Sequence, residues 1–227
     1  MPDGRGIRNA FLSKLPFTEN PHDITEFPRE GLETVARVDD EGRPTEVRTL
    51  GRGGLHVTVE PEPGFTLHLI NAHLKSKLLT YPKHGRDQPR FQPHDEDERA
   101  KMAAIALLKR TAEATALRVE ANKLLESDTG EALIVLSDFN HVVEAATTQI
   151  VKGPPGSEID STPRAFNTPD KGDKTRLFNL APLILEDRRY SRVHKHMNER
   201  KLAGVPRLLE PSMLSHKTAQ QVLGRRG

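Results

Sequence analysis

The 227 residues carry 34 Lys and Arg against 32 Asp and Glu, a formal charge of +2, which excludes the strong basic excess of a general nucleic-acid binder. Hydrophobic residues make up 35% and charged residues 29%, with no Trp, so either a small core carries long polar loops or part of the chain folds poorly. Cysteine is absent, which removes disulfides, thiolate zinc sites and a cysteine nucleophile together.

The first ten residues, MPDGRGIRNA, lack a signal pattern, and no apolar run approaches a membrane span, so a cytoplasmic protein without a membrane partner is expected. Residues 7–13 read as a short strand. Residues 14–50 are rich in Pro, Gly and charge and read mostly as loop, with a strand-like piece at 34–38. Leu55, Val57 and Val59 then alternate with polar residues, as Phe65, Leu67 and Leu69 do after Pro61-Glu62-Pro63-Gly64, which predicts a hairpin. Its second strand runs into Asn71-Ala72-His73-Leu74-Lys75-Ser76.

After a polar loop over 80–94, Asp95 and Glu98 have capping-box spacing, and no Pro or Gly follows until Gly130. Met102, Ile105, Leu108, Ala112 and Val119 predict the apolar face of one long helix. Residues 132–136 form a continuous apolar run typical of a strand covered on both faces, ending at Ser137-Asp138-Phe139-Asn140. Strand, helix, strand is a crossover unit, which brings both polar strand ends to one side of the sheet. Beyond Gly153 the pattern decays: a Gly/Pro loop at 153–157, an apolar piece at 177–185, and a basic stretch over 188–227.

Chemistry concentrates at the two strand ends. Asp138 can hold a hard cation or orient water, and Asn140 can donate to a phosphate oxygen without adding negative charge. The plainer reading is an Asx-turn closing the strand. His73 can donate to a phosphoryl oxygen or shuttle a proton near neutral pH, although a lone His at a strand end is more often structural. Lys75 can contact phosphate, yet loop lysines are usually solvated. The pairs His84/His94 and His194/His196 lack zinc spacing and read as solvent-facing. There is neither a P-loop nor a nucleophile elbow.

Together these residues resemble the endonuclease/exonuclease/phosphatase superfamily, whose members include DNase I-like nucleases and inositol phosphatases. Asn71-Ala72-His73-Leu74 is similar to its Asn-x-His-Leu motif, and Ser137-Asp138-Phe139-Asn140 to its Gly-Asp-x-Asn motif with Ser137 for Gly. Residues 145–149 and 153–158 resemble an uncharacterised bacterial branch. The resemblance runs from about Gly6 to about His194 and implies a four-layer α/β/β/α sandwich. It also implies Mg²⁺- or Mn²⁺-assisted attack of water on a phosphate ester, the substrate being a nucleic acid or a small molecule. His73 would polarise the phosphate, Asp138 would bind metal and orient the water, and Asn140 would hold both in line. Asn71, Lys75 and Ser76 would contact substrate.

The family also places an Asn and a metal-binding Glu in its first part, and an Asp and a Ser-Asp-His in its last. The chain has no Ser-Asp-His, and 197–204 reads Met-Asn-Glu-Arg-Lys-Leu-Ala-Gly. The expectation is a partial domain over 1–196, its first and last strands missing or replaced, and an unrelated, loosely packed basic tail over 197–227. Metal binding and activity would then be weak. A non-catalytic interaction module, or a partner chain completing the sheet, are the alternatives.

Overall fold

The structure is a computed structural model, and the residues it describes are 6–28, 35–38, 44–82, 90–126, 131–153, 175–180, 190–193, 206–208 and 213–215. In chain order the elements are β1 (His22–Glu26), β2 (Val35–Val38), β3 (Pro44–Val47), β4 (Thr49–Glu62), β5 (Phe65–His73), α1 (Glu96–Leu125), β6 (Ala132–Asp138), α2 (Ala146–Lys152), β7 (Leu177–Asn179), β8 (Tyr190–Val193), β9 (Pro206–Leu208) and β10 (Met213–Ser215).

The predicted hairpin is β4 and β5, paired antiparallel from Gly54↔Ala72 to Glu62↔Phe65. Pro63 and Gly64 connect them. The Pro ring fixes one φ, and Gly64 takes φ 77°, which a side chain would resist. Upstream the expectation needs correction. Residues 7–13 are not a strand. They lie beside the hairpin, held where the Asn9 amide donates to Gly53 O at 2.7 Å. The stretch read as loop supplies β1, which pairs antiparallel with β4. Only Ile24 of its five residues is buried, so it offers no alternation to read.

One mixed sheet runs in the order β1-β4-β5-β6-β10-β7. Its main body is β1, β4, β5 and β6. The β5–β6 pair is parallel, joined through α1, and the other pairs are antiparallel. β2–β3 and β8–β9 are separate two-stranded ribbons. The architecture is mixed α/β with an open mixed sheet and few helices. No helix among the described residues is long and apolar enough to cross a membrane.

Two short pieces of the basic tail lie within the described residues. Residues 213–215 lie between β6 and β7, and 206–208 pair with β8. Three-residue strands are held by backbone pairing and need no apolar period. The tail on either side of them, and part of the predicted 177–185 segment, lie outside the described residues.

α1 starts as the capping spacing predicts. Asp95 is the N-cap and accepts the Glu98 N–H at 2.8 Å, while Glu98 accepts the His94 N–H at 2.7 Å. The buried face overlaps the predicted apolar one only in part: Ala112 is buried and Met102, Ile105 and Val119 are half-buried. It consists of Ala106, Arg110, Ala112, Glu113, Ala114, Ala116, Leu117, Glu120 and Ala121, whereas Leu108 is 53% exposed. Small residues let the helix lie close to the sheet. A Cβ placed on Gly54 would come within 3.3 Å of Leu117 and 3.2 Å of Ile24. Around this contact Ile70, Ala72, Leu74, Leu133, Val135, Phe139 and Leu177 complete the core. On β6, Leu133 and Val135 are buried, while Ile134 and Leu136 on the other face are half-buried.

A substitution separates the two faces of α1. Leu108→Gln is expected to change the unfolding free energy by no more than about 0.5 kcal/mol, the usual size for an exposed site. Urea denaturation measures it, and a loss several times larger would place Leu108 in the core.

Candidate functional site

The parallel register of β5 and β6 sets the site. Asn71, Ala72 and His73 lie opposite Leu136, Ser137 and Asp138. Both polar motifs therefore end on one edge of the sheet, since a crossover returns the second strand in the same direction. His73 Nε2 lies 3.4 Å from Asp138 Oδ2, well within the span of a small pocket, about 10 Å. The side chains are 29% and 43% exposed, so solvent and ligand reach both.

The turn after β6 positions the remaining atoms. Asp138 Oδ1 accepts the Asn140 backbone N–H at 2.9 Å, an Asx-turn. Asn140 takes φ 52°, a left-handed conformation that Asn tolerates better than most residues. The structural role foreseen for Asp-x-Asn is thus present, and it leaves Asp138 Oδ2 directed at His73. The Asn140 amide donates to Leu74 O at 2.9 Å, and Leu74 N–H donates to Asp138 O at 3.0 Å. Ser137 donates from its hydroxyl to Ala72 O at 2.8 Å. These bonds tie the two strand ends together.

The residues expected to contact substrate are placed differently. Asn71 donates its amide to Ala10 O at 3.0 Å, holding the N-terminal segment. The Lys75 ammonium donates to Ser76 O at 3.0 Å and Leu78 O at 2.8 Å, within its own loop. Burial, then the nearby Arg110 and Lys109 charges, push its pKa down. Ser76 is half-buried, and its carbonyl accepts from Lys75 and Arg110.

Two residues of α1 that apolar periodicity passes over hold this loop. Glu113, 2% exposed, accepts the Gly51 N–H at 3.1 Å and the Lys75 N–H with its other oxygen. Burial raises its pKa, and those two N–H donors pull the other way. Arg110 donates to Lys75 O at 2.8 Å and Ser76 O at 3.4 Å. Charged residues three apart in an otherwise Ala-rich stretch were the signal available in the sequence.

Two cationic side chains act on the histidine that follows the turn. His141, next to Asn140, accepts the Val142 N–H on Nδ1 at 3.2 Å, which puts its proton on Nε2 in the neutral ring. Its pKa is lowered by burial, then by the charges of Lys77 and Arg110. Among the described residues no group of three or more His, Asp or Glu side chains has metal-holding geometry. His94 uses its backbone at the α1 cap, and His84, His194 and His196 lie outside the described residues.

The chain matches no protein-family model, no curated protein and no solved structure.

Proposed function

We propose that the paired ends of β5 and β6 are the phosphate- and water-handling part of a phosphodiesterase or phosphatase site of the Mg²⁺- or Mn²⁺-dependent kind, and that this chain alone turns over poorly. One observation carries the reading: His73 and Asp138 stand opposite each other in the parallel register, with Nε2 and Oδ2 3.4 Å apart and partly exposed. A carboxylate so placed accepts a proton from water. The imidazole beside it donates to an anionic phosphoryl oxygen when its Nε2 is protonated. Lys77 and Arg110 add local positive field to a chain that is nearly neutral as a whole. In this reading the sheet is one half of a four-layer α/β/β/α sandwich.

The strand ends offer a divalent ion too few hard donors. Mg²⁺ is held by one or two carboxylates together with substrate phosphates and waters. The strand ends present one carboxylate, with one of its oxygens already accepting from the Asn140 backbone. These residues do not make a resident metal site. Catalytic groups act as a unit, and loss of one member removes most of the rate.

The test has two arms. Adding a phosphodiester with Mn²⁺ or Mg²⁺ should shift the amide resonances of His73, Asp138 and Asn140. Turnover of a chromogenic phosphodiester should stay within about twofold of that of Asp138→Ala. Absence of those shifts defeats the phosphate site, and robust turnover abolished by Asp138→Ala defeats the claim of weak activity.

A second reading, a non-catalytic interaction module, is favoured by one observation. The Asn71 amide, the Lys75 ammonium and one N–H of Asn140 all go to the chain's own carbonyls. Unshifted strand-end resonances, with a partner-dependent change in elution volume on size exclusion, are the outcome it expects.

A further inference from the structure

Five residues back along β5 from His73 lies a second polar group, which the phosphate site does not use. His56 on β4 and His68 on β5 are 8% and 6% exposed, and His56 Nε2 lies 3.0 Å from His68 Nδ1. Thr58 Oγ1 is 3.3 Å from the same His68 nitrogen and donates to Glu19 Oε2 at 3.4 Å. The other His68 nitrogen, Nε2, is 3.1 Å from Glu131 Oε2, at the entrance to β6. From β1, the His22 ring faces His56 with 6.5 Å between centroids. From α1 comes Glu120, 3.9 Å from His22 and paired with Lys123 at 3.0 Å.

Donor and acceptor accounting assigns the protons. An ionised Glu131 only accepts, so His68 donates through Nε2 and its Nδ1 carries a lone pair. His56 Nε2–H then donates to that lone pair, and the Thr58 hydroxyl turns to Glu19. One added proton can be housed: it sits on His68 Nδ1 between the rings, and His56 accepts it after shifting its own proton to Nδ1. A second added proton puts N–H against N–H at 3.0 Å and two cations in a buried site.

We propose that the His56–His68 pair is an acid-sensitive latch on the sheet. It holds β4, β5 and the entrance to β6 together while it carries at most one added proton, and that end of the sheet opens when the second binds. The charges facing the pair act in both directions. Burial, then His68, lower the pKa of His56, and His22 adds to this, while Glu120 and Glu19 oppose it. The direction fixes the sign. The unfolded chain takes up the proton more readily than the folded one, so the stabilisation is complete above the ordinary value of 6.5 and is lost as pH falls from there through the lower folded value.

Amide hydrogen exchange and imidazole ¹⁵N resonances of the full chain test the latch. Between about pH 7.5 and pH 5.5, protection factors over 56–59 and 67–70, corrected for intrinsic rates, should fall at least about tenfold in the native chain. In His56→Gln, whose amide can donate to His68 Nδ1 without titrating, the fall should be under about twofold. An equal fall in both proteins overturns the latch. Should His56→Gln not fold, the native resonances decide. A His56 midpoint below 6.5, accompanied by lost protection, supports the proposal, and two independent ordinary titrations with protection unchanged overturn it.

Discussion

Glu113→Ala is expected to lower the unfolding free energy by about 2–6 kcal/mol, because it strands two backbone donors at about 1–3 kcal/mol each. Those donors are the N–H groups of Gly51 and Lys75, both turned toward a carboxylate that is 2% exposed. No water reaches the space easily, and alanine cannot accept. The sign of the pH dependence follows from burial, which raises the folded carboxyl above its ordinary value of 4.5. The folded state then holds the proton more tightly, so the stabilisation from Glu113 is greatest below 4.5 and declines as pH rises through the folded value. The cost of the substitution should therefore be larger in mild acid than at neutral pH. Denaturant unfolding at several pH values measures both. A loss under about 1 kcal/mol, the low end for one stranded donor, or a cost rising with pH, would show that Glu113 does not hold the loop after His73.

Leu117→Ala should cost about 3–5 kcal/mol, the upper part of the range for buried leucines. The side chain is fully buried, and Leu117 Cδ2 sits 3.3 Å from where a Gly54 Cβ would be. Around it stand Ala114, Ala121 and Ile24, already in the core cluster. Helix and sheet are near closest approach there, so neighbouring backbone cannot move in to fill the hole, and most of the cavity term remains. A cost below about 1.5 kcal/mol would show that α1 settles onto β4 after the truncation.

What the sequence by itself determined is the part in which local periodicity and local chemistry agree. The β4–β5 hairpin was readable because Val57, Val59, Leu67 and Leu69 alternate about Pro63-Gly64. α1 was readable because Asp95 and Glu98 supply a cap and thirty residues follow without a breaker. The crossover and the closeness of His73 to Asp138 followed from the same pattern, since strand, helix and strand bring both polar ends to one edge of the sheet. The metal and the phosphate chemistry rest on the resemblance of two short motifs and stay with the proposal.

Tertiary structure alone decided which polar residues of α1 are buried. Hydrophobicity pointed to Leu108, but burial went to Arg110 and Glu113, because carbonyl and amide groups at Gly51, Lys75 and Ser76 satisfy their charges at the strand end. It also decided the edges of the sheet. β1 has one buried apolar residue and β10 has three residues in all, so each exists through pairing with a neighbour far away in the chain. The His56–His68 contact belongs to the same class: the two lie twelve positions apart in the chain, and only the β4–β5 register brings a nitrogen of each ring to within 3.0 Å of the other. Backbone pairing and buried hydrogen bonds across elements leave no period in a sequence, which is why these features had to be seen in three dimensions.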